Sequence, residues 1–174
     1  MKKRDYKNSV KRFASAVKLD SDYGENIGLE YQKAGIDVLN KGNIREADNI
    51  FIKAIEYKPS LKIDIASHYQ KKAQRLLSEG NISEAIFMSS RAVEYQPSLK
   101  QETANKYFNN GKAFLTRKNS NAADEMFSFA VKHDPSLKDS ITSITTAYAK
   151  KVLDEAKDKP KKDRKSDIGE ARKY

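Results

Sequence analysis

The chain has 174 residues, of which 38% are hydrophobic and 33% charged, with a net charge of +10 and no cysteine. Such a chain is too apolar to be disordered and too charged for a large compact core, which points to an elongated body. The absence of cysteine excludes disulfides, thiolate nucleophiles and cysteine metal sites.

The positive charge gathers at the ends. Residues 1–12 hold six basic side chains against Asp5, and residues 150–174 hold ten against six acidic ones, leaving +1 on the 137 residues between. The opening stretch has no apolar run, so it reads as neither signal peptide nor anchor. No segment approaches the roughly 18 apolar residues of a membrane span. A soluble, cytoplasmic chain without membrane insertion is the expectation.

In chain order, a first segment, Phe13-Ala-Ser-Ala-Val-Lys, matches Phe51-Ile-Lys-Ala-Ile-Glu and marks a half repeat. Three stretches then align without gaps at a spacing of 38: Tyr31 to Lys62, Tyr69 to Lys100 and Tyr107 to Lys138. Each closes on the same Pro-Ser-Leu-Lys, at Pro59, Pro97 and Pro135. Self-similarity of this kind is the signature of a stacked repeat.

Each unit predicts two helices. In the second, Ile63, Ile65, Ala66, Tyr69, Ala73, Leu76 and Leu77 lie at helical spacing over about 62–79. Gly80, like Gly42 one unit earlier, ends that helix by taking the left-handed conformation. Asn81 or Asn43 then caps the second helix, with Glu84 or Glu46 three residues on, as in a capping box. Ala47, Phe51 and Ala54 form the inner stripe of the second helix. Proline stops it, and Ser60, Ser98 and Ser136 are placed to cap the helix that follows. The third unit has Lys118 where glycine stands in the others, so the glycine signal for its turn is missing. A last helix is expected near 139–157, with Ile141, Ile144, Tyr148, Val152 and Leu153 packing on the third unit and no second helix after it.

These residues resemble the tetratricopeptide repeat. An opening aromatic, a small residue four places on, a glycine-like turn, then alanine, aromatic, alanine and proline fall at Tyr31, Gly35, Gly42, Ala47, Phe51, Ala54 and Pro59. The second unit has Tyr69, Ala73, Gly80, Ala85, Ser89, Ala92 and Pro97; the third has Tyr107, Gly111, Lys118, Ala123, Phe127, Ala130 and Pro135. The spacing of 38 exceeds the usual 34 by about one helical turn. The resemblance implies an all-α, antiparallel helix-pair solenoid of about eight helices, wound as a right-handed superhelix. It would span 1–154 as a half repeat, full repeats at about 28–61, 66–99 and 104–137, and a terminal half repeat. Residues 155–174 read as a basic, flexible tail.

Catalysis finds little support. His68 and His133 sit in different helices without partners at metal-ligand spacing, and Gly24 and Gly28 form no phosphate loop. The aromatic series Tyr31, Tyr69, Tyr107 and Phe13, Phe51, Phe127 is placed as packing residues rather than as a stacking ladder. No enzyme activity, metal or cofactor is expected.

In the resembled family the first helix of each pair lines the concave groove. Carried over, that surface is Gln32, Lys33 and Ile36; Gln70, Lys71 and Gln74; Phe108, Asn109 and Lys112; then Thr146 and Lys150. Amides and ammonium groups at regular spacing suit an extended, acidic peptide of another protein, with Phe108 as apolar anchor, although a merely solvated face has the same composition. A nucleic acid or other polyanion held by the basic ends, and self-association through terminal helices, are the alternatives.

Overall fold

The computed structural model describes residues 21–157 and 164–174. Among them the chain is all-α, with eight helices and no strand. α1 (Ser21–Asn40) pairs with α2 (Ile44–Tyr57), α3 (Leu61–Ser78) with α4 (Ile82–Tyr95), and α5 (Lys100–Thr116) with α6 (Ser120–His133). α7 (Lys138–Lys157) packs against the short α8 (Arg164–Ala171). Successive pairs meet first helix on first helix, or second on second, so they stack as a helix-pair solenoid. The half repeat around Phe13 and the stretch around Pro160 lie outside the described residues.

The turns follow from the residues that punctuate them. Gly42 and Gly80 adopt φ of +88° and +81°, and Lys118 takes the same left-handed conformation at φ 57°. The third turn therefore takes the same form without the glycine, built with a residue that resists it. The expected caps hold only in part. Asn43 and Asn81 occupy the cap positions without a side-chain cap bond, whereas Asn119 accepts the Ala122 N–H at 3.1 Å. Asn43 donates instead to Glu46 at 2.5 Å. Ser60 makes no cap bond, and Pro97–Leu99 and Pro135–Leu137 each form a single 3-10 turn before the next helix. In the latter, Asp134 accepts the Ser136 N–H at 3.1 Å.

Inside the first and third pairs a large residue on the second helix faces a small one on the first. A Cβ on Gly35 would stand 2.5 Å from the Phe51 ring, and one on Gly111 would stand 2.5 Å from the Phe127 ring. In the middle pair both places are small: Ala73 replaces the glycine and Ser89 the phenylalanine, and both are buried. The room left there is taken up by the Tyr107 hydroxyl, which pairs with Ser89 at 2.9 Å. Tyr69, Tyr107, Phe51, Leu61 and Ile65 are almost wholly buried. Each such side chain contributes about 1.5–3 kcal/mol by leaving water.

The far end differs from expectation. α7 begins and ends as foreseen, but a second helix follows it, so the boundary at 154 and the loose tail after it do not describe residues 164–174. Ala171 is buried against Ala149 and Val152. Tyr174 sets its ring edge-on to Tyr148 at 5.8 Å and donates to the Ser120 carbonyl at 3.3 Å. Ile141, Ile144 and Tyr148 pack on Leu115, Ala123 and Phe127 as expected, whereas Leu153 and Ile63 are exposed.

Candidate functional site

The face to be tested is the stripe along the first helices, α1, α3, α5 and α7. Its members at i and i+4 lie over one another on a helix: Gln32 with Ile36, Gln70 with Gln74, Phe108 with Lys112, and Thr146 with Lys150. In α1 this stripe is turned inward. Gln32 is buried, and Ile36 packs on the core of the first two pairs. Gln32 is therefore not a surface group, which corrects the expectation for it, whereas Ile36 keeps part of its surface. Lys33, beside them, is exposed and paired with Glu30 at 2.7 Å.

Further along, the stripe emerges. Gln70 is half-buried while Lys71 and Gln74 are exposed, and in α7 both Thr146 and Lys150 are exposed. Asn109 and Lys112 are exposed on α5. Phe108, foreseen as a free anchor, is half-buried and tilted against Phe127 with ring centres 6.1 Å apart. The Lys112 ammonium stands 4.7 Å above the Phe108 ring, a cation–π contact that holds a cation on the surface side. Phe108 is therefore a packing residue that carries a charged neighbour.

A cleft between α5 and α7 joins residues expected as groove, turn and packing positions to Leu115, Lys151 and Glu155, which the sequence pattern did not single out. Leu115, Ile144, Tyr148 and Val152 form its apolar lining, and Lys112, Lys118, Lys151 and Glu155 its rim, around a volume of about 290 Å³. Lys118 donates to Glu155 at 2.8 Å, and Lys151 stands 4.0 Å from the same carboxylate. That carboxylate raises the Lys118 pKa by hydrogen bonding and by its charge. Burial pushes the Tyr148 hydroxyl up to about 12, helped by the nearby Glu170. The clue lay in spacing: 144, 148, 151, 152 and 155 are one helical stripe, continued on α5 by 112 and 115.

The packing aromatics divide. Tyr69 and Tyr107 are buried as expected, but Tyr31 is partly exposed and stacks on Tyr57 with centres 5.8 Å apart. The opening tyrosine of a unit packs on the second helix of the unit before. For Tyr31 that unit is the half repeat outside the described residues. The histidines stay apart from the cleft: His133 lies against Phe129 at 4.3 Å, and His68 is half-buried on α3. Among the described residues no cluster of histidine or carboxylate groups has a metal site's arrangement. None of the described helices is long and apolar enough to cross a membrane.

Fold and stripe together define a helix-pair repeat solenoid with a cation-bearing face on its first helices. No protein-family model matches the chain, and neither a curated protein nor a solved structure matches it.

Proposed function

We propose that this chain is a non-catalytic interaction scaffold of the tetratricopeptide-repeat type, holding an extended acidic segment of a partner protein along its first helices. The observation that carries this reading is the exposure of Lys71, Lys112 and Lys150 on three successive first helices, with Gln74, Asn109 and Thr146 between them. Neighbouring packed helices lie about 8–10 Å apart, so one extended chain reaches all three. Ammonium groups meet its carboxylates, and the amides meet its backbone donors and acceptors.

The test is the association rate of a labelled acidic peptide. Charges on a binding rim act mainly on encounter and on its salt dependence. Lys71→Glu with Lys150→Glu is expected to slow association several-fold, while Lys161→Glu with Lys162→Glu leaves it unchanged. If only the second pair matters, and a single-stranded oligonucleotide binds with a steep salt dependence, the chain is a polyanion binder and this reading is wrong.

A further inference from the structure

From the cleft between α5 and α7 we infer that the partner segment carries an apolar side chain flanked by carboxylates, and that this side chain seats against Ile144 and Tyr148, over the buried Leu115 and Val152. The inference rests on the scaffold reading and specifies its anchor point. Three features of the cleft lead to it.

The first is size. At about 290 Å³, the space falls just below the roughly 300–1,000 Å³ of pockets that enclose small molecules. It is large enough to take one aliphatic side chain. The second is the lining. Leu115 and Val152 are only 3% and 4% exposed, so they form a floor fixed by the core, while the half-buried Ile144 and Tyr148 present the apolar surface above it. An incoming leucine or isoleucine meets a surface that is already ordered, which reduces the entropy lost on binding.

The third is charge. Lys112, Lys118 and Lys151 border the cleft against the single carboxylate of Glu155. Glu155 is shared between Lys118 and Lys151, so the rim keeps a surplus of positive charge. A segment with carboxylates on either side of its apolar residue complements that rim. A nucleic-acid strand fits less well, because bases seek open aromatic faces. Tyr148, the one ring among the lining residues, already meets Tyr174 edge-on, and its hydroxyl donates to Glu170 at 3.2 Å.

The experiment uses the full chain and short synthetic peptides. One peptide has leucine flanked by aspartate and glutamate, a second has serine in place of the leucine, and a third has leucine flanked by lysine. A single-stranded oligonucleotide is the fourth probe. Fluorescence anisotropy reads affinity, and backbone amide NMR shifts read location. The acidic leucine peptide is expected to bind and to shift amides of α5 and α7. Removing its leucine weakens binding about tenfold or more, as loss of a buried aliphatic side chain does. Lys112→Gln with Lys151→Gln, which removes both rim charges without setting a new carboxylate beside Glu155, weakens it several-fold at low salt, and the lysine-flanked peptide does not bind. If the acidic peptide binds but shifts α1 and α3 and responds only to Lys71→Glu, the anchor inference is overturned and the scaffold reading stands. If serine replaces leucine without loss, the apolar seat is refuted. If no acidic peptide saturates, or the oligonucleotide binds as tightly, both fall.

Discussion

At the joint between the first and second helix pairs, Asp48 of α2 collects three groups from the next pair. Tyr69 donates to it at 2.5 Å, Arg91 pairs with it at 2.5 Å, and Tyr95 donates at 3.5 Å. The rings of Tyr69 and Tyr95 stack behind this cluster, 5.7 Å apart. Thirty-eight residues on, the same four places hold Ile86, Tyr107, Phe129 and His133. There the rings of Tyr107 and Phe129 meet at 4.5 Å, Ile86 packs against them, and the Tyr107 hydroxyl pairs with Ser89 at 2.9 Å. One backbone arrangement is thus closed in two ways, by a charge network and by apolar rings. The buried tyrosine is common to both, and its hydroxyl needs a partner in each. Where Phe51 fills the small-residue gap, Asp48 supplies that partner. Where Ser89 leaves room, the serine supplies it.

The largest effect should come from breaking the charged joint. Asp48→Ala leaves the Tyr69 hydroxyl buried without its acceptor and strips Arg91 of its inner carboxylate. Asp48 and Arg91 side chains are 15% and 25% exposed, so solvent replaces little of the loss. A cost of about 2–3 kcal/mol is expected, less than full burial would give because Arg91 keeps Glu94. Ile86→Ala, its counterpart at the apolar joint, is half-buried and should cost about 1–2 kcal/mol. Urea melts that reverse this order would show that the charge network is not what holds the first joint.

Next comes the size match within pairs. Gly111→Ala drives a methyl into the Phe127 ring, and the better helix propensity of alanine returns about 1 kcal/mol. With overpacking at about 1–3 kcal/mol, a net loss of up to about 2 kcal/mol is expected. Adding Phe127→Leu, which withdraws the ring edge but keeps an apolar side chain beside Leu115 and Ala123, should relieve part of the clash, so that it costs less in this background than in the native one. No recovery would mean that the backbone at Gly111, not the facing ring, sets the limit. At the apolar joint, Ser89→Ala isolates the Tyr107 hydroxyl, at a cost of about 1 kcal/mol or slightly more. Adding Tyr107→Phe in that background should restore stability, because both polar partners are then gone.

The two joints also differ in how they respond to acid. His133 occupies the place of Tyr95, with Nε2 buried and lacking a partner. Burial, with the charges of Lys132 and Lys100, lowers its pKa below 6.5. A group whose pKa is lowered on folding leaves the unfolded chain with more protons, so stability is complete above 6.5 and declines as pH falls through it. His68 shifts the same way, through burial and Lys71. His133→Tyr should therefore flatten part of the acid limb of stability against pH, and His68→Gln the other part. An unchanged limb in His133→Tyr would show that folding leaves the proton affinity of this histidine as it is in the unfolded chain.

Much of this architecture is legible in the chain itself. The 38-residue spacing locates three helix pairs, and the alanine–large–alanine stripe identifies the buried face of each second helix. Two things escape it. The direction of the first-helix stripe changes from inward at Gln32 to outward at Thr146, and that depends on how neighbouring pairs sit, which no single helix encodes. α8 has no Pro-Ser-Leu-Lys signature, few apolar residues and dense charge. It is a helix because Ala171 and Tyr174 find a ready surface on α7 and Phe127, not because its own composition demands it. The Asp48–Arg91 pair spans 43 residues, so it appears only once the joint is built.

The smallest expected effect lies at the turn where the third pair departs from the others. Gly42 and Gly80 accept positive φ freely, whereas Lys118 holds φ 57° against the clash of its Cβ. Replacing it with glycine relieves a strain of about 1 kcal/mol but also removes the bond to Glu155 on α7. That pair is solvent-exposed, with Lys118 and Glu155 side chains 59% and 38% accessible. Such pairs contribute about 0–1 kcal/mol, with most measured values at the low end. The balance predicts that Lys118→Gly stabilises the chain by about 0.5 kcal/mol, and by more at high salt, where the lost pair matters least. Glu155→Gln measured in both backgrounds separates the two contributions. If Lys118→Gly destabilises and Glu155→Gln has no effect once the lysine is gone, the bridge outweighs the strain. A lysine at that turn would then be the tie between the third and fourth pairs, as Asp48 is between the first and second.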